Sequence, residues 1–143
     1  MNRLTNIALA CALVTTVAGA AAAPVRHDHP IVGTWRFAVP DSACHEVYRI
    51  RDDGTALITS ASEVAESEFD IADQPDDNGF YKSSDKIVKD NGKLDCTGEV
   101  TPVGRAVASF IVFHPSGNMF LMCQQASMDT CMGPFIRVRG NDT

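Results

Sequence analysis

Apolar and polar residues alternate along much of this chain. In 31–38, Ile31, Gly33, Trp35 and Phe37 fall on one face, and Val32, Thr34 and Arg36 fall on the other. That period of two is the mark of a half-buried β-strand. Turn signals recur at short intervals: Asp53-Gly54, Asp77-Asn78-Gly79, Asn91-Gly92 and Pro115-Ser116-Gly117-Asn118. Asn-Gly and Asp-Gly supply the positive φ that tight hairpins need. The stretches between these turns predict strands over 31–38, 45–51, 55–61, 66–72, 79–89, 106–113, 118–124 and 133–139. Glu46, Tyr48 and Ile50 alternate with Val47, Arg49 and Arg51, so 45–51 should have no fully dry side. The run 106–113 is apolar on both faces and is expected to be the most buried strand. Ser60 to Phe69 is the best helical candidate, although its composition reads better as strand. Many short strands and little helix describe an all-β domain. We expect a small antiparallel up-and-down barrel of about eight strands, with a β-sandwich as the alternative.

The first residues have a different character. Arg3 precedes an apolar run from Ile7 to Ala18, followed by the small residues Gly19-Ala20-Ala21-Ala22-Ala23. Charged start, apolar stretch and small-residue exit form the layout of a cleavable signal peptide, expected over 1–22. Leu9-Ala10-Cys11 imitates part of a lipid-attachment site, but only seven residues separate Arg3 from Cys11, which is short for the apolar region of such a leader. No later apolar stretch reaches the roughly 20 residues a bilayer span requires. After cleavage a flexible arm over 23–30 would lead into one domain over 31–143, of a size that supports a single core. Export leaves four cysteines, Cys44, Cys96, Cys123 and Cys131, an even number that suits two disulfides. Of the three pairings available to four cysteines, Cys44–Cys96 with Cys123–Cys131 is preferred, because the second pair flanks a hairpin loop.

Charge narrows the partners. The net charge is −6, and nine carboxylates lie between Asp52 and Asp77 without a lysine or arginine among them. Lys82, Lys86, Lys89 and Lys93 follow. Such a balance excludes a phosphate-backbone binder, so no nucleic acid partner is expected. The bland reading of both clusters is solvated strand faces and turns. The sharper one is an acidic rim for a basic protein or a cationic ligand.

Gly33-Thr34-Trp35, at the head of the first strand, resembles the Gly-x-Trp signature of the calycin barrels, which include lipocalins, fatty-acid-binding proteins and avidins. The resemblance rests on these residues, the strand count and the length. It implies that Trp35 packs across the closed end of a barrel, and that Arg137 of the last strand stacks on it. Trp35 is the only tryptophan, so the aromatic box of avidins is absent. The carboxylate trap of fatty-acid binders has no clear counterpart either; Tyr48, Arg49 and Arg51 come nearest. If the two arginines turn inward they would clamp an anion; if outward they form a solvent-facing ladder. Phe110 and Phe113 complete the expected ligand-binding set.

Metal and catalytic chemistry find little footing. His27-x-His29 is a short chelate-like pair beside Asp28, and a structural zinc site would want cysteines at close spacing. Gln74 to Asp85 imitates a calcium loop but begins with glutamine and ends with aspartate, so it reads as a turn. Neither a Gly-x-Ser-x-Gly elbow nor a glycine-rich phosphate loop occurs, and no nucleophile, base and orienter can be assembled. No metal, cofactor or enzymatic activity is expected. The sequence reads as an exported barrel that binds a small apolar or amphiphilic molecule. The alternative is an acidic envelope module that binds a protein, as a hydrolase inhibitor or immunity protein would.

Overall fold

The computed structural model describes residues 22–140. The expected signal peptide lies, up to residue 21, outside the described residues, as does Cys11. Eight strands carry the fold: Gly33–Ala38 (β1), His45–Ile50 (β2), Thr55–Ser60 (β3), Glu63–Ile71 (β4), Phe80–Asp90 (β5), Ala106–Phe113 (β6), Met119–Cys123 (β7) and Cys131–Arg137 (β8). Each pairs antiparallel with the next. The last returns to the first through Trp35↔Arg137, Arg36↔Ile136 and Phe37↔Phe135, which closes the barrel. Closure satisfies the edge groups that an open sheet would leave exposed.

The expected strands are all present, with ends displaced by three residues at most. The largest displacement is at β4, which begins at Glu63. Ser60 to Phe69 is thus the end of β3, a tight turn at Ala61-Ser62, and most of β4, not a helix. One expectation fails. In 106–113 only Ser109 and Ile111 are buried, and Ala106, Val107 and Ala108 are exposed. The most deeply covered strand is β4, with Glu63, Ala65, Ser67, Phe69 and Ile71 buried. A closed single-layer barrel turns one face of every strand to solvent, which exposes Ala106 and Ala108, while inward Val107 is exposed at the open end of the barrel.

The inward faces meet in an aromatic core. Phe120 stacks on Phe135 with centroids 4.6 Å apart, and Phe135 stacks on Phe37 at 4.8 Å. Trp35 meets Phe120 edge-on at 4.8 Å, an arrangement that aromatic quadrupoles favour. Trp35 is fully buried, and its indole N–H donates to the Ile31 carbonyl at 2.7 Å.

Arg137 seals this end. Its guanidinium carbon lies 4.1 Å from the Trp35 ring centroid. Its Nε donates to the Gly117 carbonyl at 3.2 Å and Nη1 to the Val32 carbonyl at 3.0 Å, while Nη2 donates to Pro30. One side chain therefore joins the last strand, the β6–β7 turn and the segment entering β1. Gly33 has φ +140°, and a Cβ there would lie 2.5 Å from Arg137 Nη1. The glycine makes room for the guanidinium.

Residues 23–30, expected as a flexible arm, pack beneath the same end. Val25 is buried and donates its N–H to the Asp52 carbonyl at 2.9 Å. His29 is buried, with Nε2 at 3.2 Å from the Ala72 carbonyl. Gly54, at φ +80°, leaves space for the Ala23 carbonyl, with which a Cβ would collide. The sequence pattern could not show this, because the arm's contacts are with turns at 51–54 and 72–79, far from it in the chain.

The disulfides are Cys44–Cys96 and Cys123–Cys131. Both lie at the opposite end, where one ties the β1–β2 loop to the long β5–β6 loop and the other staples the β7–β8 loop. Two disulfides are compatible with a periplasmic or extracellular setting. None of the helices among the described residues is long and apolar enough to cross a membrane.

Replacing Arg137 with Met should destabilise the barrel by about 2–4 kcal/mol, since it deletes the stack and three charge-assisted hydrogen bonds. Urea unfolding of Arg137→Met and Arg137→Lys checks this, and a lysine that restored full stability would contradict the role of the planar fork. By loop entropy, removing Cys44–Cys96 with paired serines should cost about 4 kcal/mol, and removing Cys123–Cys131 about 2.5 kcal/mol. Equal losses in the same unfolding assay would count against that ordering.

Candidate functional site

Above the aromatic core the barrel holds a cavity of about 320 Å³. Strand alternation decides what lines it. Glu46, Tyr48 and Ile50 point inward from β2, and Ala56 and Ile58 from β3. Glu63, Ala65 and Phe69 follow on β4, Asp85 and Ile87 on β5, and Val107, Ser109 and Ile111 on β6. Phe120, Met122, Met132 and Phe135 complete the wall, and the β5–β6 loop adds Asp95, Thr101 and Arg105. Arg105, Val107 and Met132 are exposed, so the cavity reaches the surface at the disulfide-bearing end. Its floor is apolar and its upper wall is acidic.

The carboxylates there have different environments. Glu46 is fully engaged: Tyr48 donates its hydroxyl to Oε2 at 2.5 Å, and Ser60 Oγ donates to Oε1 at 2.8 Å. Ser60 Oγ in turn accepts from the Cys96 N–H at 3.0 Å, which couples the β2 wall to the β5–β6 loop. Burial, reinforced by the Glu46 charge, pushes the Tyr48 phenol well above its ordinary range, so it stays a hydrogen-bond donor. Burial also works to raise Asp95, yet its carboxyl is held below the usual range. The N–H groups of Thr97 and Glu99 and the Thr97 hydroxyl all donate to Oδ1 and outweigh that burial.

Glu63 is the contrasting case. It is only 4% exposed, and its Oε1 has no hydrogen-bond partner. Burial raises its carboxyl first, and the nearby Asp90 and Asp95 add to the rise, while Thr101 opposes it. Asp90 Oδ2 is likewise buried and unpartnered. Asp85 is raised by burial too, against the opposing pull of the Ser67 hydroxyl and the Arg105 charge. Among the described residues, no group of three or more His, Cys, Asp or Glu side chains is placed to hold a metal ion.

Of the expected ligand-binding residues, Tyr48 lines the cavity. Arg49 and Arg51 are exposed, and Arg51 Nη1 donates to Thr55 Oγ1 at 3.1 Å, so they form no inward clamp. The register explains this: Tyr48 and Ile50 take the inward positions of β2, which turns Arg49 outward. Phe110 also faces outward, between the inward Ser109 and Ile111. Phe113 is inside but belongs to the closed end, packed on Trp35, Tyr81 and Phe120. Gly33, Trp35 and Arg137 occupy the sealing positions described above.

The acidic wall escaped sequence reading. Glu63 precedes the predicted start of the fourth strand at residue 66, so its inward register could not be counted. The usable signal was the alternation Glu63, Ala65, Ser67, Phe69, Ile71. The remaining acids of the cluster are dispersed. Glu66 pairs with Lys89 at 3.0 Å, and Glu68 lies opposite Lys86 in the strand register. His27 binds Asp52 at 2.7 Å on the surface, while buried His29 serves the arm. The 74–79 segment is a turn in which Asp76 Oδ1 accepts from the N–H groups of Asn78 and Phe80. No family model, curated protein or solved structure matches the chain.

The raised carboxyls have a pH consequence. The folded state retains protons on Glu63 and Asp85 that the unfolded chain releases above ordinary values of 4.5 and 3.8. Their contribution to stability is therefore full below those values and is lost as pH rises through the raised ones. The double variant Glu63→Gln, Asp85→Asn should gain stability over the unaltered protein as pH climbs from about 4 to 7, because it has no such protons to lose. Thermal melts across that range check it; a gain that shrank with rising pH would reverse the sign of the argument.

Proposed function

We propose that this protein is an exported binding barrel of calycin type, which carries a small amphiphilic molecule in its interior. The observation that carries the reading is the cavity itself, about 320 Å³ within a closed eight-strand barrel. Its volume falls at the lower end of the range for small-molecule sites, and barrels of eight strands are just wide enough for one ligand. Small side chains keep the space open: Ala56, Ala65 and Ser109 stand where larger residues would fill it. An apolar floor with a polar upper wall suits a ligand with one apolar and one polar end.

The calycin relationship is supported by the arrangement of Gly33, Trp35 and Arg137, with the arginine stacked over the indole and the glycine making room for it. Export is supported by the two disulfides and by the layout of the first residues. The binding of a basic protein by an acidic rim draws less support, because lysines of β5 answer the outer acids of β4.

Substituting Ala65 with Phe should fill the cavity and reduce the binding of an apolar fluorescent probe at least tenfold, with the far-UV circular dichroism unchanged. Native mass spectrometry of protein from its own host should show added mass on the unaltered chain and none on Ala65→Phe. Undiminished probe binding by a folded Ala65→Phe variant would place the ligand elsewhere and sink the reading.

A further inference from the structure

Resting on the binding-barrel reading, we infer that the cavity takes an organic ammonium ion, its cationic head at Glu63 and its apolar body against the floor. Four carboxylates line the cavity, Glu46, Glu63, Asp85 and Asp95, against one guanidinium, Arg105, which is exposed. Field lines concentrate in a low-dielectric cleft, so this wall repels anions and attracts cations.

The acidic wall alone would not identify a ligand; the unpaired oxygens do. Glu46 spends both oxygens on Tyr48 and Ser60, and Asp95 Oδ1 is occupied by its own turn. Glu63 lines the cavity, and its Oε1 is buried without a hydrogen-bond partner. The buried Asp90 Oδ2 beside it has none either. Two neighbouring carboxyl groups with unsatisfied oxygens call for a donor between them. A single proton would bridge one pair of oxygens. An ammonium group brings three donors and a full charge, so it can answer Glu63 from the cavity, with neighbouring Asp90 adding to the negative field. Among the described residues no group of three or more His, Cys, Asp or Glu side chains is placed to hold a metal ion here.

Below this point the inward face of β4 turns apolar within one inward step, while Asp85 of β5 lies opposite Phe69. Ala65 lies next inward of Glu63 on β4 and forms a small cluster with Ile58 and Ile87, against which Tyr48 packs. Phe69, Ile111 and Phe120 lie deeper. A primary amine on a slim apolar body matches both halves. A carboxylate on the same body meets repulsion, and an alcohol leaves the charge of Glu63 unanswered.

The test uses the full disulfide-bonded protein and two matched probe sets, phenethylamine, 2-phenylethanol and 3-phenylpropanoate, then octylamine, octanol and octanoate. Calorimetry at low salt should find at least one amine about tenfold or more tighter than its alcohol, with the carboxylate weakest. Glu63→Gln should lower amine affinity about tenfold and leave alcohol affinity unchanged. Asp90→Asn, tested in parallel, should also weaken the amine, which covers the case that Glu63→Gln does not fold. Glu66→Gln, on the outer face, should change neither. If alcohols or carboxylates bind as tightly as amines in a manner that Ala65→Phe blocks, the ammonium inference falls and the binding barrel stands. If amine affinity survives both Glu63→Gln and Asp90→Asn, the inference also falls. If no probe of either set binds, both readings fall together.

Discussion

Closing a sheet into a barrel requires the last strand to find the first, and in this chain those strands are joined across nearly the whole domain by one side chain. Arg137 lies flat on Trp35 and donates to three backbone carbonyls that no strand would satisfy, those of Pro30, Val32 and Gly117. A guanidinium suits this position because its planar fork offers five donors in a fixed geometry and stacks well on an indole. Trp35 in turn anchors Phe120, and the Phe120–Phe135–Phe37 stack carries the packing upward. Remove the seal and the aromatic core loses its base. The cavity exists because the core above that base is left incomplete.

The two ends of the barrel are held by different physics. The lower end is dense, aromatic and covered by residues 23–30. The upper end has long loops and inward acids, which contribute little packing and carry desolvation costs. Covalent ties take over there: one disulfide joins the β1–β2 and β5–β6 loops, and the other joins the ends of β7 and β8. The Tyr48–Glu46–Ser60 hydrogen-bond chain then reaches the Cys96 N–H, so the loop bearing Asp95, Thr101 and Arg105 is fixed relative to the cavity wall. A site that buries Glu63 beside Asp90 needs such support, because desolvation and the neighbouring acids outweigh the help of Thr101. Stability is given up where binding is proposed, and a stapled frame makes the loss tolerable.

The amino-acid pattern by itself determined the strands and their antiparallel order, while closure into a barrel rather than a sandwich was decided by the β1–β8 pairing. Alternation and turn chemistry are local, and a hairpin's register follows from the residues on either side of its turn. Gly33, Trp35 and Arg137 were legible as a group through the resemblance to the Gly-x-Trp barrels, which implies a buried indole with an arginine of the last strand stacked on it. The hairpin loop between Cys123 and Cys131 favoured one of three cysteine pairings, and the structure decided it. Tertiary structure alone decided which acids turn inward, that Arg49 and Phe110 face outward, and that the arm closes the lower end. Those outcomes hang on strand starts to within one residue, since a shift of one reverses every side chain's face. They also hang on contacts between segments far apart in the chain, such as Val25 with Asp52 and Glu63 with Asp90. Periodicity is a property of neighbours, whereas a cavity is a property of eight strands at once, and its charge was settled only when they closed.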